Sequence, residues 1–205
     1  TLSPSKGERV KVWELRSIPM RSYMRTLVGL TFLLVLHLCA PVGLLAKVFY
    51  AKDEAIRAAF PEADVIDKQT FFLTDDQKKQ VETLARTPLD SKLVTMYIGK
   101  RGQKLLGYAV IDVHTVRTLP EAVMVVLSPE GRVASTLILA FYEPREYLPK
   151  EPWLKQFDQA RLTPDLRVGG KIAGITGATL TTRAMTESVR KVLALYRVLI
   201  EKGGR

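Results

Sequence analysis

The hydrophobic and polar positions of the chain follow three patterns, and the first is an uninterrupted apolar run. Twenty residues from Leu27 to Ala46 contain no Asp, Glu, Lys or Arg. A helix needs about 20 apolar residues to cross the hydrocarbon layer of a bilayer. A cleaved signal peptide is disfavoured because 26 residues precede the run and Pro41 follows its best cleavage position. We therefore predict one transmembrane helix over residues 27–50.

The second pattern is typical of strands and lies between residues 93 and 141. The segments "LVTMYIG" and "LLGYAVIDV" are rich in β-branched and aromatic residues, and a turn at residues 100–102 separates them. The segments "AVMVVL" and "VASTLILAF" flank "SPEGR", where Pro129 suits the second turn position and Gly131 the left-handed one. These patterns predict a meander of about four antiparallel strands.

The third pattern is helical and lies on both sides of the strands. Residues 53–60 predict a short helix, and Thr74 with Gln77 forms the capping-box pattern that opens a second helix. A third, amphipathic helix is predicted to start near Thr181 or Thr182. Its apolar face contains Met185, Val189, Val192, Leu193, Tyr196 and Ile200, while Glu187, Arg190, Lys191 and Arg197 are predicted to lie elsewhere. Helices before and after a run of strands predict an α+β fold.

The distribution of charge gives the chain a predicted orientation. The formal net charge is +10, and residues 1–26 hold six basic and two acidic side chains. An excess of Lys and Arg before a membrane helix places that side in the cytoplasm. The basic segment would then lie against anionic membrane lipid, and residues 51–205 would form one domain outside the bacterial cytoplasmic membrane. No basic stripe interleaved with aromatic residues is present, so nucleic acid is not a predicted partner.

Few residues of the predicted outer domain are suited to conventional catalysis. The chain contains one cysteine and two histidines, so it cannot form an internal disulfide or a cysteine-based metal site. Only His114 lies in the predicted outer domain. The motifs HExxH and GxSxG are absent from the sequence. We therefore predict no catalytic residue and no metal site in this chain.

One hydroxyl-rich stretch, "AGITGATLTTRAM" at residues 173–185, runs directly into the predicted last helix. The candidate ligand residues in and around it are Lys171, Thr176, Gly177, Ala178, Thr179, Leu180, Thr181, Thr182 and Arg183. Glycine lets the backbone approach a ligand closely, and a helix start offers unpaired N–H groups to an anion. A phosphate site is one interpretation. The other is that Thr181 or Thr182 only caps the helix.

The segment "ITGATLTTRAM" resembles the flavinylation motif of the FMN-binding domain found in two kinds of membrane complex. These are the G subunit of Rnf electron-transport complexes and the C subunit of sodium-translocating NADH:quinone oxidoreductases. The "WLKQF" segment, the "SPEG" hairpin and one membrane helix before an outer domain fit the same family. The resemblance implies FMN joined by a phosphoester to Thr179, attached by a separate flavin transferase.

Other positions depart from the family pattern or match it only in part. Ala173 stands where the family usually has Asp. The stretch "YEPREYLP" matches a family Glu-Thr-Pro-Gly segment at Glu143. In the loop "HTVRTLPE", the resemblance implies that His114, Thr115 and Arg117 are neighbours of the flavin ring. Trp153 either packs on that ring or belongs to the core. The departures indicate a divergent branch of the family.

The resemblance implies an electron-transfer subunit rather than a freestanding enzyme. In this hypothesis FMN relays electrons between other subunits of a membrane redox complex. One alternative is a single-pass sensor or scaffold that binds FMN or another phosphorylated ligand without a covalent bond. Another is a structural subunit without flavin.

Overall fold

The computed structural model describes residues 47–203 of the chain. The predicted transmembrane run up to Ala46 and the basic segment 1–26 lie outside these residues. Within the described range, no helix is both long and apolar enough to cross a membrane. The end of the predicted segment 27–50 is not helical, because Lys47–Val48 form a strand.

One antiparallel sheet organises the described chain. Its six strands are β1 Lys47–Val48, β2 Val65–Phe72, β3 Leu93–Arg101, β4 Lys104–Thr115, β5 Pro120–Leu127 and β6 Val133–Phe141. They lie in the order β1-β6-β5-β4-β3-β2. The helices are α1 Lys52–Ala59, α2 Asp75–Ala85, α3 Glu151–Leu154 and α4 Thr179–Tyr196, with 3-10 turns at Arg145–Tyr147 and Lys155–Phe157 and a π-helical end at Arg197–Glu201. The predicted α+β class is confirmed.

Helices cover both faces of this sheet. On one face, α2 and α4 bury residues such as Val81 and Val189 against Val110 and Val125. On the other face, α1 buries Ile56 with a smaller group of strand residues. Burial of apolar area from two sides supplies most of the favourable free energy of folding. The last helix is thereby fixed along the sheet, and its first residue lies beside the β4–β5 loop.

Several local predictions are confirmed. The Thr74 hydroxyl accepts a hydrogen bond from the N–H of Gln77 at 3.1 Å, and the Gln77 side chain accepts one from the N–H of Thr74 at 3.0 Å. Gly131 has a φ of +70° in the β5–β6 hairpin. A Cβ there would clash with the ring of Tyr196, whose hydroxyl donates to the carbonyl of Pro129 at 2.7 Å. The hairpin is thus fastened to α4.

The sequence prediction missed the two edge strands. Strand β2 has the sequence "VIDKQTFF", and most of its side chains are exposed. It therefore lacks the alternation that signals a half-buried strand. Its charged residues suit an edge, where they discourage pairing with another sheet. Strand β1 is only two residues long and pairs with Ala140 and Phe141 of β6.

Two basic residues predicted to lie away from the apolar face of the last helix are buried. Arg190 is 5% exposed and Lys191 is 8% exposed. The Arg190 guanidinium donates to the carbonyls of Leu84, Ala85, Thr163 and Leu166 at 2.7–3.0 Å. The Lys191 ammonium lies 2.8 Å from Asp112. The sequence pattern did not show this burial, which specific polar partners make tolerable.

Candidate functional site

Helix α4 begins at Thr179, two to three residues earlier than predicted. Its N-cap is Ala178, which is 3% exposed and has no side chain able to cap. The Thr182 hydroxyl instead donates backward to the carbonyls of Ala178 and Thr179, at 3.1 and 2.9 Å. Thr181 is 2% exposed and does not cap the helix either. The structure therefore contradicts the interpretation in which Thr181 or Thr182 caps the helix.

The missing cap leaves backbone donors open at the start of the helix. Within residues 47–203, the N–H groups of Thr179, Leu180 and Thr181 have no acceptor. Thr179 itself is exposed, and so are Thr176 and Gly177, the latter with a φ of +82°. Unpaired N–H groups and the positive end of the helix dipole favour a bound anion. The donors that a phosphate group needs are therefore present beside the Thr179 hydroxyl.

A pocket of about 190 Å³ joins this helix start to the β4–β5 loop. Its lining residues are Val116, Arg117, Glu143, Tyr147, Gly177, Ala178, Thr179, Leu180 and Thr181. The Arg117 guanidinium carbon lies 5.4 Å from the centre of the Tyr147 ring, a cation–π distance. The pocket thus combines a guanidinium cation, an aromatic ring, unpaired backbone amides and an alcohol.

Glu143 shapes the loop that carries Arg117. One oxygen of its carboxylate accepts hydrogen bonds from the N–H groups of Arg117, Thr118 and Leu119, at 2.9–3.0 Å. Burial of the carboxyl acts to raise the pKa of Glu143, but the three N–H donors outweigh it and the pKa falls below its usual value. The Glu143 carboxylate therefore holds the loop in place beside the helix start.

A comparison with protein families identifies the cofactor of this part of the chain. Residues 120–194 match the family model of the FMN-binding domain. The cofactor is FMN. The matched range contains Glu143, Tyr147 and the whole of the 176–182 stretch. A comparison with curated proteins gave no match.

Three other residues of the predicted site, Thr115, Lys171 and Arg183, lie outside the 190 Å³ pocket. Thr115 ends β4 and is exposed, opposite Pro120. The Lys171 ammonium lies 3.5 Å from the Asp165 carboxylate. Arg183 lines a separate cleft farther along α4. The resemblance or the sequence spacing suggested these three side chains, but they do not line the 190 Å³ pocket.

Trp153 holds the backbone before the hydroxyl-rich stretch but does not line the pocket. Its ring packs edge-on against Phe157, with centres 5.4 Å apart. Its indole N–H donates to the carbonyl of Ala173 at 2.7 Å, and the Gln156 side chain accepts from the N–H of Ala173 at 2.8 Å. The core role for Trp153 is the one that the structure shows. The helix "WLKQF" thereby holds the backbone just before the hydroxyl-rich stretch.

His114 is held in a buried group of charges beneath the loop. Its Nδ1 lies 2.9 Å from Asp112 and its Nε2 lies 3.1 Å from Glu121. Lys191 pairs with the other oxygen of Asp112 at 2.8 Å. Burial acts to lower the pKa of His114, but the two carboxylates outweigh it and raise the pKa to about 9. His114 lies inside the fold at these distances rather than in the lining of the pocket.

We expect this histidine to make stability depend on pH. The His114 pKa rises from an ordinary value of 6.5 to about 9 on folding. The stabilisation is therefore complete below about pH 6.5, declines as the unfolded chain releases its proton first, and is lost above about pH 9. The loss should reach at most about 3.5 kcal/mol, since each pKa unit corresponds to about 1.4 kcal/mol. Urea unfolding between pH 6 and about pH 9.5 measures it.

The control for this experiment is His114→Gln, which cannot take up a proton. Its free energy of unfolding should change much less with pH across the same range. An equal slope in the variant would show that groups other than His114 cause the pH dependence.

Sequence reasoning missed Tyr147 and Val116 as pocket residues. Tyr147 lies in a 3-10 turn within "YEPREYLP", a stretch without periodicity. Nothing in that stretch shows which side chain turns toward the β4–β5 loop. Val116 gave no signal because a single apolar loop residue is common on protein surfaces.

Proposed function

We propose that this chain is a membrane-anchored flavoprotein subunit that relays electrons through FMN linked by a phosphoester to Thr179. One observation supports the proposal above all others. The exposed hydroxyl of Thr179 lies at an uncapped helix start, in the same pocket as the Arg117 cation. Phosphate needs such donors, and a phosphoester needs an accessible alcohol.

In this proposal, different residues of the pocket bind different parts of the cofactor. The open amides of Thr179, Leu180 and Thr181 would bind the phosphate oxygens, and the Arg117 guanidinium would supply positive charge nearby. Tyr147 offers an aromatic surface in the same pocket. When bound, FMN supplies the one- and two-electron chemistry, while the chain supplies position and electrostatics.

The surroundings of Thr179 favour attachment by another protein. A threonine hydroxyl is a weak nucleophile near neutral pH unless a base lies beside it. Glu143 is the one carboxylate among the residues that line the pocket, and one of its oxygens already accepts three N–H groups. We therefore infer that a separate flavin transferase attaches FMN.

The membrane part of the proposal is supported by the sequence. The apolar run from Leu27 to Ala46 leads directly into β1, and the basic segment 1–26 precedes it. In this proposal the FMN-binding part lies outside the cytoplasmic membrane, beside other subunits of a redox complex and the membrane lipid. A covalent bond would keep the flavin from diffusing away.

A second candidate is a sensor or scaffold protein that binds FMN without a covalent bond. Ala173 favours this candidate, because the family that the chain resembles usually has Asp at this position. A transferase that requires the Asp would not modify this chain. The backbone of Ala173 is nevertheless held on both sides, by Trp153 and Gln156. The position is therefore ordered without an acidic side chain.

The intact mass of the full chain tests the proposal. The chain is produced together with a flavin transferase, recovered from salt-washed membranes with detergent, and denatured. We expect a mass increased by one FMN minus one water. An unchanged mass with flavin released on denaturation supports the second candidate. An unchanged mass without released flavin contradicts both.

A further inference from the structure

A cleft of about 330 Å³ lies along α4, separate from the FMN pocket. Its lining residues are Ala85, Arg86, Arg167, Val168, Arg183, Thr186, Glu187 and Arg190. Four guanidinium groups therefore face one carboxylate, a formal excess of three positive charges. We call this surface the arginine cleft. Such an excess in one concave surface attracts negatively charged partners over several ångströms.

Two of these arginines are not engaged elsewhere in the fold. Arg167 and Arg183 are exposed, and their side chains form no hydrogen bond or ion pair with any residue in the described range 47–203. Arg86 makes only a long contact, 3.5 Å, with the carbonyl of Pro164. Arg190 is different, because backbone carbonyls hold its guanidinium at the back of the cleft. The cleft thus combines one fixed cation with three that can turn toward a ligand.

The arginine cleft continues the surface on which the flavin would be attached. Residues three or four apart in a helix lie on the same side. Thr179, Arg183 and Glu187 are spaced by four residues in α4. Side chains of a helix also tilt toward its N-terminus, so Arg183 leans toward Thr179. A molecule that fills the cleft therefore reaches the edge of the FMN site.

The lining residues indicate the chemistry of the occupant. The cleft has no aromatic side chain on which a nucleobase could stack. It does contain Glu187, whose carboxylate accepts a hydrogen bond from the Thr87 hydroxyl at 3.3 Å. A fixed carboxylate would repel a small phosphate, whereas a protein surface can present both signs of charge. An arginine guanidinium can donate two parallel hydrogen bonds to the carboxylate of Asp or Glu.

We propose that the arginine cleft is the docking surface for an acidic electron-carrier protein that exchanges electrons with the flavin. This inference rests on the proposed relay function. In each encounter the carrier is oxidised by one electron and the flavin is reduced by one, or the reverse. The cleft holds the carrier beside the flavin and makes their association depend on ionic strength.

The test uses the flavin-loaded full chain in detergent and a reduced plant-type ferredoxin as an acidic one-electron carrier. Stopped-flow absorbance under anaerobic conditions follows bleaching of the flavin. The variant Arg86→Gln/Arg167→Gln removes two charges of the cleft. The matched control, Arg57→Gln/Lys104→Gln, removes two exposed charges, one from α1 on the opposite face of the sheet and one from the start of β4. Flavin per chain is measured first in each protein.

We expect reduction of the cleft variant to be slowed about fivefold or more at low ionic strength, with the control within about twofold of the parent protein. The difference should vanish at high salt, where charges are screened. Equal rates for the two variants would overturn the inference. Poor flavin loading of the cleft variant alone would also overturn it, because it would assign the cleft to binding of the transferase.

Photoreduction with a neutral deazaflavin dye is an independent measurement of whether the flavin can be reduced. A flavin that it cannot reduce would contradict the relay function itself.

Discussion

Thr179→Ala should abolish the covalent flavin, so that the denatured protein band no longer fluoresces under ultraviolet light. The substitution removes the alcohol that would form the phosphoester. It should leave the fold intact, because Thr179 is exposed and its side chain makes no hydrogen bond to any residue within 47–203. Exposed substitutions of this kind usually change the free energy of unfolding by less than about 0.5 kcal/mol. In-gel fluorescence and intact mass measure the result.

Two companion variants test which hydroxyl carries the covalent flavin. Thr179→Ser replaces the secondary alcohol with a primary alcohol at the same place and should retain the fluorescent band. Thr176→Ala removes an exposed hydroxyl from the same loop and should also retain it. Fluorescence that persists in Thr179→Ala would show that the flavin is attached elsewhere. Loss of fluorescence in Thr176→Ala alone would move the attachment site to Thr176.

Arg190→Ala should produce the largest loss of stability among single substitutions in α4. The guanidinium supplies hydrogen bonds to four backbone carbonyls, two at the end of α2 and two in the loop at residues 163–166. Without it, carbonyl groups remain buried and unpaired, and each such group costs about 1–3 kcal/mol. We expect a loss of about 3 kcal/mol or more in the free energy of unfolding, measured by urea denaturation.

Arg183→Ala is the matched control for this stability measurement. Arg183 lies seven residues earlier in the same helix, but its side chain is exposed and has no partner within the described chain. Its free energy of unfolding should stay within about 0.5 kcal/mol of the parent value. Similar values for the two variants would mean that the carbonyls around Arg190 find water or other donors.

Local chemistry allowed much of the fold to be predicted. The capping box at Thr74 and the hairpin around Gly131 each depend on residues a few positions apart, so the sequence shows them directly. The four central strands have the apolar composition that burial on both faces requires. Edge strand β2 has no such composition, because its side chains are mostly exposed.

The part of the candidate site that was predicted also consists mainly of residues close together in sequence. Thr179, Ala178 and Gly177 are adjacent in sequence, and the resemblance added Arg117 and Glu143, which the structure places in the same pocket. Tyr147, Arg190 and Lys191 were missed because their positions depend on distant partners. The partner of Lys191, for example, is Asp112 of β4. Helical spacing alone cannot show that a basic side chain on a helix has such a partner.

Because Ala178 cannot cap α4, attachment of the flavin should also stabilise the first turn of this helix. A helix without a capping side chain forgoes about 1 kcal/mol relative to one capped by Ser or Asp. Here Ala178 occupies the N-cap position, and backbone N–H groups of the first turn have no acceptor. A phosphate group bound there would act as the absent cap, so the newly made, flavin-free chain should fray first at this turn. Loading the cofactor would then also complete the folding of the helix that carries it.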